Sequence, residues 1–272
     1  MKQSQFYYLL RRGLFSGGSS IIKNGLVMFN KFTTAGLNFP VQGSAAFNGS
    51  SDYIDMGDVL NQGADNATYS FWAYAQDDTG GECVLAKSIG GSLVANYGFL
   101  AGVFINGNIQ YYTADGDPSQ YGGQASHAGL NQWQYISFVV DKSQTEIGIY
   151  INGSKQTTSR ILGGSLSAVG NVTNTQPLII GAESDLSNNF DGNLANVAIW
   201  NRALTSDEIN SVMWKPYQAL SATESNGLKA WYSLDDITSP AASLANMEQL
   251  ATDKTLVIEN KAAITAAINQ LS

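Results

Sequence analysis

Three kinds of side chain in this sequence could carry chemistry: paired carboxyls, a lone histidine with a lone thiol, and tyrosines set among amides. Retaining glycoside hydrolysis needs two carboxyl groups roughly 5 Å apart, which on a strand means acids at alternating positions facing one cleft. The nearest arrangement is Glu183-Ser184-Asp185, and no third acid follows on the same strand. Nucleophilic catalysis needs a base beside the nucleophile. The single histidine, His127, has nothing in the local sequence that ties it to the single thiol, Cys83. One histidine cannot build a His-rich zinc site either. The chain is therefore expected not to be an enzyme. The tyrosines offer more, because a ring face stacks on the apolar face of a sugar while amides bond its hydroxyls. The segment TADGDPSQYGGQASHAG, residues 113–129, reads as a long polar Gly-rich loop, and long loops in compact domains tend to carry function. Tyr111 or Tyr112 at its base, Tyr121 in its middle and Gln124 are the candidate ligand-binding residues, with an ordinary mobile loop as the bland alternative.

The elements that must position these groups are strands. Only 13% of the 272 residues are charged, with 28 Gly and 5 Pro, and Ser, Asn and Thr crowd the segments between apolar runs. That is the composition of a many-turned β protein. A formal net charge of −8 and no basic run longer than Arg11-Arg12 argue against nucleic acid as a partner. A lone cysteine forms no intramolecular disulfide, so the core alone must hold the fold. The apolar stretch 6–10 is cut short by Arg11 and Arg12, which predicts no signal peptide. No segment approaches membrane-spanning length, so membrane insertion is not expected.

Alternating apolar runs recur at 25–32, 45–56, 68–75, 82–87, 97–105, 108–113, 132–141, 145–151, 177–181 and 193–200. Asn106-Gly107 and Asn152-Gly153 sit where two-residue hairpin turns belong, since a type I′ turn needs φ > 0 at both central residues. Neighbouring strands are thus mostly antiparallel. In ALTSDEINSVMW, Thr205 with Glu208 forms a capping box and Leu204 with Ile209 a hydrophobic staple, predicting a short helix over 206–213. Trp72, Trp133 and Trp200, each embedded in an apolar run, are expected in the core rather than on a ligand platform. Beyond Pro216 the character changes. Residues 227–237 read as one more strand, and 241–272 is Ala-rich. Leu250, Val257, Ile264 and Leu271 keep a seven-residue spacing, with Met247 and Ile268 at the complementary position that Lys254 and Lys261 interrupt. That pattern predicts a helix packed on the protein's own surface or joining other subunits.

Six stretches in order, AAFNGSSDYIDMGD (45–58), TYSFWAYA (68–75), NQWQYISFVVD (131–141), IGIYINGS (147–154), PLIIGAESD (177–185) and FDGNLANVAIWNRALTSDEI (190–209), resemble the laminin-G-like jelly-roll family, whose members look like concanavalin-type lectins. The resemblance implies an all-β fold, an antiparallel jelly-roll β-sandwich of concanavalin A-like type, to which the capping box and the seven-residue spacing add a short helix after the last core strand and a helical C-terminal tail. The expected organisation is an N-terminal arm over 1–24, the jelly-roll domain over 25–217, and an extra strand with the tail over 218–272. Domains of this family commonly open with a strand like GLVAYWSLDE. This chain carries GLKAWYSLDD at its far end as well as GLVMFNKF near its start, so the late strand either begins a second domain or completes a sheet, its own or a neighbour's.

The resemblance also implies calcium, held by loop acids at the sandwich edge, with Asp52, Asp185 and Asp191 as the matching residues. The family pattern often has an Asp where this chain has Asn196, which removes a carboxylate. No other cofactor is required. The function expected is that of a non-enzymatic structural or recognition protein, foremost a phage virion surface component (capsid decoration, head fibre or tail). Its arm and tail would bind other virion proteins or copies of itself, and its lectin-like domain would touch host surface glycans. The alternative is a secreted or cell-surface carbohydrate-binding module or adhesin, and a divergent glycoside hydrolase comes third.

Overall fold

The computed structural model describes residues 43–88, 97–116 and 119–234. In chain order the strands are β1 (Ala45–Asn48), β2 (Ile54–Asp55), β3 (Ala67–Ala75), β4 (Glu82–Ser88), β5 (Tyr97–Ile105), β6 (Asn108–Asp115), β7 (Gln120–Ser126), β8 (Trp133–Val140), β9 (Gly148–Ile151), β10 (Ser154–Lys155), β11 (Ser159–Gly163), β12 (Ile179–Ile180), β13 (Asp191–Trp200) and β14 (Leu228–Tyr232). They form two sheets. The first runs β1-β13-β3-β8-β9-β10, with β14 also on β13; the second runs β11-β7-β6-β5-β4-β12-β2. This is the antiparallel jelly-roll sandwich that the alternating runs and the resemblance predict. Both Asn-Gly turns behave as expected. Asn106 and Gly107 have φ of 48° and 80°, Asn152 and Gly153 of 51° and 79°, and they join β5 to β6 and β9 to β10.

The two sheets close on one apolar core. Tyr69, Phe71 and Phe138 from the first sheet meet Phe99, Phe104, Tyr111 and Tyr121 from the second. In β3 the inward set is Phe71, Ala73 and Ala75. Its other face buries Trp72 in a separate cluster with Tyr135, Trp200 and Trp231. That outer cluster exists because helix α1 (Ser206–Val212) lies on it through Ile209 and Val212, with Leu204 and Met213 flanking the helix. Thr205 and Glu208 make the predicted capping box, worth about 1 kcal/mol to so short a helix. A second capping box, Ser221 with Glu224, starts helix α2 (Ala222–Ser225), which the sequence reading missed.

The late strand completes its own sheet. β1 pairs with Asp191–Leu194 of β13, and β14 with the stretch Val197–Trp200, while β3 occupies the other edge of β13. The first and last strands of the described residues thus share one edge of β13. The 113–129 segment departs from expectation. It is not a long loop, because β6 continues to Asp115 and Gln120–Ser126 is strand β7, paired residue for residue with β6. The arm over 1–24, the run at 25–32 and the helical tail lie outside the described residues.

Candidate functional site

Alternation along the β6/β7 hairpin decides which candidates face outward. Tyr111 points into the core, with its ring centroid 5.8 Å from Phe138 and 6.1 Å from Tyr69. Tyr121 also points inward, and its hydroxyl accepts a bond from the Ile147 amide at 3.0 Å. Both are 0% exposed, so neither ring can stack on a sugar, and both are corrected from ligand candidates to core residues. The cause is the strand character of 120–126, which turns alternate side chains inward.

Tyr112 and Gln124 fall on the opposite, outer face of the second sheet. There they join Gln110, which the sequence reading did not single out. The Tyr112 hydroxyl donates to Gln110 Oε1 at 2.5 Å, and Gln110 Nε2 donates to Gln124 Oε1 at 2.8 Å. This chain of bonds leaves the Gln124 amide N–H groups and a lone pair on Tyr112 for a ligand. Beneath the ring lies a small apolar floor of Cys83, Ala86, Leu100 and Val103. Gly122, the cross-strand partner of Tyr112, makes the ring's position workable. A Cβ there would come 2.9 Å from Tyr112 Cδ1 and 2.9 Å from Leu162 Cβ.

The loop between β12 and β13 supplies an acid. Glu183 is 5% exposed; its Oε1 accepts from Asn188 Nδ2 at 2.7 Å, and its Oε2 has no partner. Burial first, and then the nearby Asp185, push this carboxyl up to about 7, against the pull of the Asn188 bond. The Cys83 thiol and the Tyr112 hydroxyl are in turn raised by burial and, second, by the charge of Glu183. Leu186, at the tip of the loop, is exposed with φ of 66°, a conformation a leucine rarely adopts and one that recurs at binding loops.

The catalytic arrangements weighed from sequence do not assemble. Asp185 is exposed and spends Oδ1 on the amide and hydroxyl of Ser187, at 3.1 and 2.6 Å, whereas Glu183 is interior. His127 is bonded to Asp78 at 3.0 Å, accepts from the Gly129 amide and packs on Phe104. Cys83 is buried in the outer floor, and burial holds it as a thiol. The calcium acids are likewise dispersed in their roles. Asp52 is exposed in the turn after β1, and Asp191 is half-buried at the start of β13, its amide bonded to Glu82 Oε2 at 3.2 Å. Among the described residues no group of three or more His, Cys, Asp or Glu could hold a metal ion.

The sequence model of the concanavalin A-like lectin/glucanase superfamily matches residues 48–210. No curated protein matches the chain. Among solved structures, a putative carbohydrate-binding protein from Bacteroides ovatus aligns with TM-score 0.53 at 16% identity, covering 72% of this chain and 52% of that one. The chain thus spans about half the length of that relative. The Ruminococcus gnavus IT-sialidase CBM40 bound to α2,3-sialyllactose aligns with TM-score 0.47 at 13% identity, over 63% of this chain and 96% of that one. The botulinum neurotoxin serotype D binding domain aligns with TM-score 0.47 at 17% identity, over 61% and 41%. The agreement in fold rests on the first of these. None of the three is described as a virion component.

Proposed function

The chain belongs to the concanavalin A-like lectin/glucanase superfamily, and from that premise we propose that it is a non-catalytic carbohydrate-binding module, acting at a cell surface or in a secreted protein. The observation that carries this reading is the outward ring of Tyr112 on an apolar floor, hydrogen-bonded into the Gln110–Gln124 amide pair. A stacked ring supplies apolar contact while the amides read hydroxyl positions, the usual division of labour in a small-ligand site. The burial of Glu183, with Asp185 exposed and bonded to Ser187, supports binding without turnover. The virion attachment expected from the arm and tail finds no support in the comparisons, and both segments lie outside the described residues.

A glycan array followed by titration of the best-bound glycan tests the proposal. Tyr112→Ala is expected to weaken that binding by about tenfold or more, roughly 1.4 kcal/mol, and Gln124→Ala by less. Leu186→Ala, at the neighbouring loop tip, serves to map how far the site extends. No bound glycan on a broad array, or full affinity in Tyr112→Ala, would overturn the assignment of this face. Turnover of an oligosaccharide that Glu183→Gln abolishes would restore the hydrolase reading.

A further inference from the structure

A cavity of about 440 Å³ opens away from the Tyr112 face, between the loop that joins β2 to β3 and the edge where β13 meets β14. Its size lies within the range of small-molecule sites. One wall is held from below. Lys87, 1% exposed, bonds Asp58 at 2.7 Å and the Gln176 carbonyl, fixing the start of the loop. Leu60 sits in that wall with φ of 56°, a left-handed leucine that persists only where its surroundings over-determine it.

The chemistry of the lining is complementary to hydroxyl groups. Asp65 on the loop and Lys229 on β14 both line the cavity and are exposed, and neither side chain enters an ion pair or side-chain hydrogen bond among the described residues. Asn61 and Asn66 use their carbonyl oxygens on the amides of Asn174 and Lys142, at 3.2 and 2.8 Å. Their N–H groups are left uncommitted. The cavity therefore offers a carboxylate that accepts and an ammonium and two amides that donate, over the apolar Ala67 and Tyr69. Vicinal hydroxyls, each donor and acceptor at once, satisfy such a set. An ionic ligand gains less, because exposed charges are screened by solvent and salt.

We infer that this edge cavity is a second carbohydrate site, taking the hydroxyl-rich end of a small glycan between Asp65 and Lys229. It stands apart from the Tyr112 face, so the two sites can be tested separately. The full chain, labelled with ¹⁵N, is titrated with methyl glycosides of neutral, N-acetylated and acidic hexoses and, in a separate arm, with glycine betaine. The glycosides are expected to shift the amide resonances of Asn66, Asn201 and Lys229 in a saturable way. The double substitution Asp65→Ala with Lys229→Ala is expected to weaken the response about fivefold or more, while Tyr112→Ala leaves it unchanged. Both substituted residues are exposed, so folding is retained, which the remaining resonances report. Unmoved resonances at the cavity, or an unchanged response in the double variant, overturn the inference. A response to betaine alone does so too, and assigns a zwitterion instead. Shifts at Tyr112 and Gln124 report on the other face, so failure of one reading is distinguishable from failure of the other.

Discussion

Replacing Glu183 by Gln should stabilise the protein at alkaline pH and leave it unchanged in acid. The carboxyl is raised in the folded chain from 4.5 to about 7 by burial and then by Asp185. Below the unfolded value, both states carry the proton and the group contributes no difference. Between the two values the unfolded chain releases its proton while the folded chain keeps it, so stability falls as pH rises and the loss is complete above the folded value. At 1.36 kcal/mol for each pH unit of separation the full loss is about 3 kcal/mol, and partial solvent screening brings it to about 2 kcal/mol. Glutamine mimics the protonated acid: its Oε1 can still accept from Asn188, and it has no charge to bury. At about pH 8 the variant should therefore melt about 4–8 °C higher than the wild type, with the two coinciding near pH 4. Thermal unfolding followed by circular dichroism across that range measures the difference curve. Glu82, also raised to about 7 by burial, gives the wild type a second sloping contribution, but it cancels in the difference between the two proteins. A difference that is flat with pH, or a variant destabilised at alkaline pH, would refute the reasoning.

Two further perturbations probe the scaffold. Gly122→Ala places a Cβ 2.9 Å from the Tyr112 ring and from Leu162. It should cost about 1–2 kcal/mol in urea unfolding through overpacking and should weaken glycan binding, because the ring must move. Arg202 grips Glu208 through two bonds of 2.7 and 2.9 Å and bonds the Asn226 and Thr223 carbonyls, joining α1 to α2. Arg202→Ala should lower stability by about 2 kcal/mol. The loss should shrink in acid, because the Arg202 bond holds the Glu208 carboxyl below its usual range and protonation of that carboxyl removes the pair; melting temperatures at neutral and acid pH check both.

The features legible in the sequence were those with local causes. The Asn-Gly turns, the Thr205 capping box and the alternation of β3 each depend on neighbours a few residues away. What escaped was set by distant contacts. Residues 120–126 lack the β-branched and aromatic density of a strand, and Gly122 and Gly123 suggested a loop. Those glycines answer packing instead. At Gly123 a Cβ would strike the Tyr121 hydroxyl and Ile147, as one at Gly122 would strike Tyr112. Had the segment been read as a strand, alternation would have put Tyr121 inside and Gln124 outside. Likewise nothing local says that 228–232 pairs with β13 of the same sheet, since that register spans an intervening pair of helices. The raised Glu183 depends on a loop folding over its own acid, which the string Glu-Ser-Asp cannot reveal.

The two outer faces of the sandwich use their aromatics differently, and that difference locates the proposed recognition surface. On the first sheet Trp72, Tyr135, Trp200 and Trp231 are buried under α1 and its flanks, and their burial holds the helix in place. Trp72 and Trp200 also spend their indole N–H groups on the carbonyls of Met213 and Glu224. Rings committed in this way cannot also receive a ligand without displacing the helix, at the cost of exposing several large side chains. The outlying rings on that side are Trp214, 55% exposed and 5.7 Å from Trp72, and the half-buried pair Tyr74 and Trp133, 5.8 Å apart. On the second sheet the half-buried ring of the outer floor, Tyr112, is tied instead to side-chain amides, which remain free to exchange partners with a sugar. The same alternation that buries Tyr111 therefore presents Tyr112, and the hairpin partner that turns Tyr121 inward turns Gln124 out beside it.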